Sequence, residues 1–215
     1  NYIVSYITSA SNCGAVDHYP LSISGDCDGD GVLDTTEILN GTDPSDPCDY
    51  NSADVTLPQS GDYLAADCDG DGVTNGDELN PPDGESPTDP QDPCSKNSSD
   101  ITLTLSGDYL LADCDGDGVT NADELNPPDG EPATDPNDPC DTNVSDITLV
   151  KSGSYLLADC DGDGVTNGDE LNPPDGEPAT DPNDSCSSNV SDITLTQSGD
   201  YLLADCDGDG VTNGD

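Results

Sequence analysis

Asp67-Cys68-Asp69-Gly70-Asp71-Gly72-Val73-Thr74-Asn75-Gly76-Asp77-Glu78 is the stretch on which the reading of this chain turns. Oxygen-bearing side chains fall at its first, third, fifth and ninth positions (Asp67, Asp69, Asp71 and Asn75), and Gly72 at the sixth permits a sharp turn. Val73 offers a backbone carbonyl, and Glu78 at the twelfth position can bind through both carboxylate oxygens. A calcium ion wants roughly six to eight oxygen ligands, which a tightly coiled loop can bring from a single segment. Without the ion, carboxylates a few ångströms apart repel by about 4 kcal/mol per pair at an effective dielectric near 20. Metal binding and ordering of the loop are therefore expected to be one event.

The same spacing returns at Asp26, Asp28, Asp30, Val32, Asp34 and Glu37, then at Asp113, Asp115, Asp117, Val119, Asn121 and Glu124. It returns again at Asp159, Asp161, Asp163, Val165, Asn167 and Glu170. A fifth copy, Asp205, Asp207, Asp209, Val211 and Asn213, stops one residue short of its glutamate. At least four calcium ions are expected, and more if other acids contribute. The connector acids Asp83, Asp89 and Asp92, with Asp129, Asp135 and Asp138 one repeat on, are candidates for a second, weaker site.

Around the loops runs a repeat of 46 residues, fixed by Cys68, Cys114, Cys160 and Cys206 and independently by Cys48, Cys94, Cys140 and Cys186. Tyr63, Tyr109, Tyr155 and Tyr201 keep step. This divides the chain into a strand-like segment at 1–12, a short variant repeat at 13–47, repeats at 48–93, 94–139 and 140–185, and a truncated one at 186–215. Segment 1–12 is uncharged and rich in β-branched residues and tyrosine. It reads as the end of an upstream domain, as a strand closing the first repeat, or as a donor strand for a neighbouring molecule. Within each repeat the alternation of Ile101, Leu103 and Leu105, the Ser106-Gly107-Asp108 turn and Tyr109 to Leu111 predict a small β-hairpin.

The chain has 215 residues and a formal charge of -46, with no Phe, Trp or Met. Such a charge excludes nucleic acid as a partner, and the thin apolar content cannot by itself offset an ordering entropy of roughly 1.5 kcal/mol per residue. No apolar run approaches the length of a membrane span. The absence of Met at the start and the end at Asp215 within a motif suit a piece of something longer. Ten cysteines place the chain in an oxidising setting, extracellular or at a cell surface. Pairing each cysteine with the one twenty residues on gives Cys48-Cys68, Cys94-Cys114, Cys140-Cys160 and Cys186-Cys206, and the shorter first copy follows with Cys13-Cys27. The register across the loops, Cys27-Cys48 and Cys68-Cys94 onward, strands Cys13 and Cys206, but connectivity stays open on sequence alone. Zinc is a poor match, with one histidine, His18, and no Cys-x-x-Cys.

The stretch D-G-D-G-V-L-D-T-T-E-I-L-N-G-T-D-P-S-D-P and its D-C-D-G-D-G-V-T-N-G-D-E-L-N relatives resemble bacterial thrombospondin type 3 repeats over residues 26–215. That resemblance implies a chain wrapped around rows of calcium ions with little hydrophobic core, forming stalks or spacers in secreted and surface proteins. The Asn-Pro-Pro-Asp-Gly-Glu connector and the segment between loops depart from a minimal repeat and leave the ion count per unit open. Leu79-Asn80-Pro81-Pro82 follows Glu78, and the prolines there are expected to prevent the exiting helix of a helix-loop-helix hand.

The fold expected is a repeat protein, mostly loop with short β-strands or hairpins, forming an elongated rod stabilised by calcium and disulfides without a large hydrophobic core. The function expected is structural, in an extracellular stalk, fibre or filament that self-associates or continues as a longer array. The alternatives are an adhesin module and a dockerin-like assembly module. An enzyme is not expected, since His18 has no repeated partners and the chain has little with which to wall a pocket. Sequons at Asn40, Asn97, Asn143 and Asn189 are candidate glycan acceptors on a surface fibre.

Overall fold

A computed structural model of the protein describes residues 25–215. Segment 1–12, Cys13 and His18 lie outside the described residues. The chain forms two compact units, one ending at Leu110 and the other running Leu111–Asp215, and both use the same parts.

The first four acidic loops each run into a short helix: α1 (Asp34–Asn40), α3 (Asn75–Leu79), α5 (Asn121–Leu125) and α7 (Asn167–Leu171). Before them on each repeat lie a single 3-10 turn and another one-turn helix. The 3-10 turns are Ser52–Asp54, Ser98–Asp100, Val144–Asp146 and Val190–Asp192, and the helices are α2 (Gly61–Ala65), α4 (Gly107–Leu111), α6 (Gly153–Leu157) and α8 (Gly199–Leu203).

Prolines set the length of the exit helices without abolishing them, which corrects the expectation of no helix there. α1 runs seven residues and ends on Gly41 in the left-handed conformation, at φ 89°. α3 runs five and stops at Asn80, because Pro81 cannot donate and crowds a helical residue before it. Its start is fixed by Thr74, whose hydroxyl accepts from the Asp77 N–H and donates to Asp77 Oδ2.

No β-strand occurs among the described residues, so the predicted hairpin is wrong. The apolar alternation of residues 101–105 does not pair with a second strand. Its N–H groups turn instead to the preceding acidic loop: Thr102 and Leu103 both donate to the Gly72 carbonyl at 2.9 Å, and Ser106 donates to the Gly70 carbonyl at 2.8 Å. A loop coiled on itself presents isolated carbonyls rather than a ladder edge, so extended backbone lies on it without becoming sheet. Gly107, at φ 50°, then turns the chain into α4, where the hairpin reading placed a second strand.

The interior inverts the usual composition. Among the described residues the buried apolar side chains are Val32, Val73, Val119, Val165, Tyr63, Tyr109 and Tyr155, whereas sixteen aspartates and glutamates are buried. Burying an ionised carboxylate without a compensating charge costs several kcal/mol, so apolar contacts on this scale cannot carry the fold.

Candidate metal centre

The acidic loops are built by aspartates that use one carboxylate oxygen to fold the loop and leave the other pointing inward. Asp67 accepts from the N–H groups of Gly70 (2.8 Å) and Gly72 (3.1 Å). Asp69 Oδ1 accepts from Asp71 N–H and Asp71 Oδ1 from Val73 N–H. The second oxygens, Oδ2 of Asp69 and of Asp71, are buried without any hydrogen-bond partner, as is Oε2 of Glu78. Oxygens of Asp67, Asp69 and Asp71 lie within 4.8 Å of one another.

The arrangement repeats in detail. Three aspartates converge in the same way at 26, 28 and 30, at 113, 115 and 117, at 159, 161 and 163, and at 205, 207 and 209. Orphaned buried oxygens recur at Asp28, Asp30 and Glu37, at Asp115, Asp117 and Glu124, and at Asp161, Asp163 and Glu170. The valine at the seventh position is 1% exposed in the first four loops, and its carbonyl accepts none of the turn or cap hydrogen bonds. Burial, and then the charge of neighbouring aspartates, pushes Glu37, Glu78 and Glu124 up to about 8. Burial likewise raises Glu170 to about 8 and Asp69 to about 7. Such groups are poor anions in an empty loop and strong ones beside a divalent cation. The set is all oxygen, which suits calcium and not a soft metal.

Asn75, at the ninth position, braces the loop. Its Oδ1 accepts from Cys68 N–H, and its amide donates to the Tyr63 carbonyl at 2.9 Å and to Cys68 Sγ at 3.1 Å. Asn167 repeats all three bonds with Cys160 and Tyr155. In the first loop Asp34 Oδ1 accepts from Cys27 N–H. The sequence reading assigned this position as a ligand and did not see the brace.

A second group that it missed is the threonine ten residues past the glutamate. Thr88, Thr134 and Thr180 donate to Oε1 of Glu78, Glu124 and Glu170 at 3.0–3.2 Å, and so aim the twelfth-position carboxylate. The constant Thr-Asp-Pro at that distance was the available signal.

Every covered loop is closed by the next repeat. Tyr63, Tyr109, Tyr155 and Tyr201 donate their N–H to the carbonyls of Asp28, Asp69, Asp115 and Asp161. Gly70 sits so close to the following segment that a methyl group there would lie 2.2 Å from the Ser106 carbonyl oxygen. In the loop at 205–215 the three aspartates are exposed. The chain's two cationic side chains also serve this interior: Lys96 lies 3.7 Å from the Tyr109 ring centre and Lys151 4.1 Å from that of Tyr155.

Cysteines fasten the loops at their second position. Cys48 is bonded to Cys68, Cys140 to Cys160 and Cys186 to Cys206, with Cα separations of 5.2–5.3 Å, and Cys27, Cys94 and Cys114 are disulfide-bonded as well.

The model of the bacterial TSP3 repeat matches residues 26–47, 67–80, 113–126 and 159–172. These four segments are bacterial TSP3 repeats. No curated protein and no solved structure matches the chain. The first TSP3 match runs on through the short connector to Pro47, while the later three end at Asn80, Asn126 and Asn172, just before the Pro-Pro pair. The longer connectors and the segments between loops thus lie outside the family pattern.

Those connectors do not form the cluster expected of Asp83, Asp89 and Asp92. Asp89 accepts from Gln91 N–H and Asp92 from Cys94 N–H, each closing a turn of the proline-rich backbone. The sequon amides are likewise engaged: Asn97, Asn143 and Asn189 donate to the carbonyls of Ser86, Pro132 and Pro178, and Asn40 donates to Asp54. Among the described residues no helix is long and apolar enough to cross a membrane.

Proposed function

We propose that this chain is a calcium-rigidified structural segment of an extracellular stalk, fibre or filament, and that its work is to hold length and stiffness rather than to catalyse. One observation carries the reading. Buried, unpartnered carboxylate oxygens collect in each loop that a following repeat covers, so the cation that neutralises them also cements one repeat to the next. The ligands in each covered loop are the aspartates at positions one, three and five, the valine carbonyl and the glutamate at twelve, with the ninth residue bracing them. At least four calcium ions per chain follow. Disulfides and the absence of a membrane-crossing helix among the described residues fit secretion or a cell surface.

Equal units that contact only their neighbours propagate in one direction, which suits a rod whose length is set by repeat number. The decisive experiment removes calcium with EDTA while the disulfides stay oxidised. Loss of protease resistance and a swelling of the radius of gyration by solution scattering are expected, both restored by calcium. An unchanged scattering profile and digestion pattern would reject the reading.

A further inference from the structure

Lys96 and Lys151 are the chain's two Lys or Arg side chains, against 48 aspartates and glutamates, and both stand in segments that close acidic loops. In each closing segment the side chain just before the serine (Ser60, Ser106, Ser152 or Ser198) lies on the sixth-position glycine of the loop. Measured from where a methyl group on that glycine would sit, Gln59 Cγ is 3.1 Å away at Gly31, Leu105 Cδ2 3.2 Å at Gly72, Lys151 Cγ 3.5 Å at Gly118 and Gln197 Cγ 3.1 Å at Gly164. Past that contact, Lys151 Nζ donates to the Tyr155 hydroxyl at 2.7 Å and lies 4.1 Å from the centre of its ring. The Tyr155 N–H in turn donates to the Asp115 carbonyl at 2.9 Å. Stem and charge of Lys151 are thus both held against groups that touch the loop at 113–124.

Lys96 reaches the loop at 67–78 from another position, one filled by Tyr50 in the first repeat and by Thr142 and Ser188 in the later ones. Its ammonium is buried 3.7 Å from the centre of the Tyr109 ring, and the Tyr109 N–H donates to the Asp69 carbonyl at 2.9 Å. Burial raises the Asp71 carboxyl in that loop, while the Val73 N–H and the Lys96 charge lower it. The segments closing the loops at 26–37 and 159–170 have Gln59 with Tyr50 and Gln197 with Ser188 at these two positions, and so bring no cation. The loops at 113–124 and 159–170 carry the same residues at every ligand position and differ in this respect.

We propose that Lys96 and Lys151 set the order in which the loops fill, so that those at 67–78 and 113–124 take calcium at higher free concentration than those at 26–37 and 159–170. The proposal rests on the calcium reading above and assigns what distinguishes otherwise matching sites. An ammonium is attracted by the carboxylates of an empty loop and repelled by the divalent ion that fills it. It therefore favours the empty state, and one such charge across a partly buried contact weakens the ion on the order of tenfold.

The test is a calcium titration of the full, oxidised chain, followed by NMR at the amides of the sixth-position glycines. In the parent, Gly164 is expected to respond at about tenfold lower free calcium than Gly118. Lys151→Gln installs the residue that two other repeats use at this place, and it should lower the Gly118 midpoint about tenfold, more than that of Gly164. Lys151→Arg should keep the parent midpoint. In the reverse exchange, Gln197→Lys should raise the Gly164 midpoint about tenfold and the uncharged Gln197→Met should not. Lys96→Thr, which copies Thr142, should lower the midpoint at Gly72. Lost packing would weaken calcium in the lysine variants, so tighter binding there separates charge from structure. An unchanged or raised Gly118 midpoint in Lys151→Gln would overturn the proposal. Loop glycines that do not respond to calcium in the parent would instead bring down the calcium reading, and this proposal with it.

Discussion

Substituting alanine for Gly70 and for Gly208 separates the intrinsic strain of the acidic loop from its packing against the next repeat. Both glycines hold the fourth loop position, with left-handed φ values of 81° and 74°. An alanine pays the same local penalty at either, on the order of 1–2 kcal/mol. The difference lies in what covers them. A methyl group at Gly70 would meet the Ser106 oxygen at 2.2 Å and its carbonyl carbon at 2.7 Å, while at Gly208 nothing lies within 4 Å. Relieving the Gly70 contact requires the Ser106 backbone to withdraw by about 1 Å to reach ordinary contact distance. That withdrawal breaks the 2.8 Å bond from Ser106 N–H to the Gly70 carbonyl and strains the neighbouring bond from Tyr109 N–H to the Asp69 carbonyl.

Two such bonds at about 1 kcal/mol each, with some packing lost around Tyr109, give roughly 2–3 kcal/mol beyond the glycine penalty. Amide hydrogen exchange in saturating calcium reads this locally, which matters because a repeat array need not unfold in one step. Protection of the Ser106 and Tyr109 amides should fall about 30- to 150-fold in Gly70→Ala and stay at the parent value in Gly208→Ala. Equal protection at those amides in both variants would refute the idea that the following segment closes the loop.

Proton linkage follows from the buried glutamates. Burial raises Glu78 from an ordinary 4.5 to about 8, so the calcium-free fold binds a proton that the unfolded chain would release. Metal-free stability should therefore fall as pH rises from about 4.5 to about 8, and calcium binding near pH 7 should release close to one proton per covered loop, measurable by calorimetry in buffers of different ionisation enthalpy. Glu124→Gln removes one charged ligand from a buried set and should weaken calcium at that loop by about 3 kcal/mol or more, read by titration. Replacing Cys140 and Cys160 together by serine opens a loop spanning a sequence separation of 20 and should lower stability in saturating calcium by about 3 kcal/mol, checked by urea denaturation.

The acidic loop was legible because its information is local: Asp67 to Glu78 carry their spacing, their turn glycines and their charge within one segment. The flanking segment was not, because an extended backbone with alternating Ile101, Leu103 and Leu105 reads alike whether it pairs in a sheet or lies on a coiled loop. The partner decides, and here the partner is Gly70 and Gly72 of the preceding repeat. Pro81 and Pro82 identified where the exit helix must end and left unsaid that one turn fits before them. Asn75 was read as a ligand alone, because asparagine oxygen and aspartate oxygen occupy the same place in a pattern. Its amide hydrogens, which aspartate lacks, are what hold Tyr63 and Cys68.

Within each compact unit these contacts make the intervening segment a strap between two acidic loops. The stretch from Ser52 to Tyr63 donates backbone hydrogen bonds to the loop at 26–37, and at its far end the Tyr63 carbonyl accepts from Asn75 of the loop at 67–78. The Cys48-Cys68 bond ties the start of that strap to the second loop as well. The same construction joins the loop at 113–124 to that at 159–170 through residues 143–158. An ion in the first loop orders the strap, and an ordered strap places the brace that shapes the second loop, so occupancy of one site lowers the ordering entropy left for its neighbour. In a solenoid with an apolar core that coupling would run through side-chain packing. Here what neighbouring repeats of a unit share is the acidic loop itself, so on the function proposed above ion binding and ordering of the repeats are one interaction.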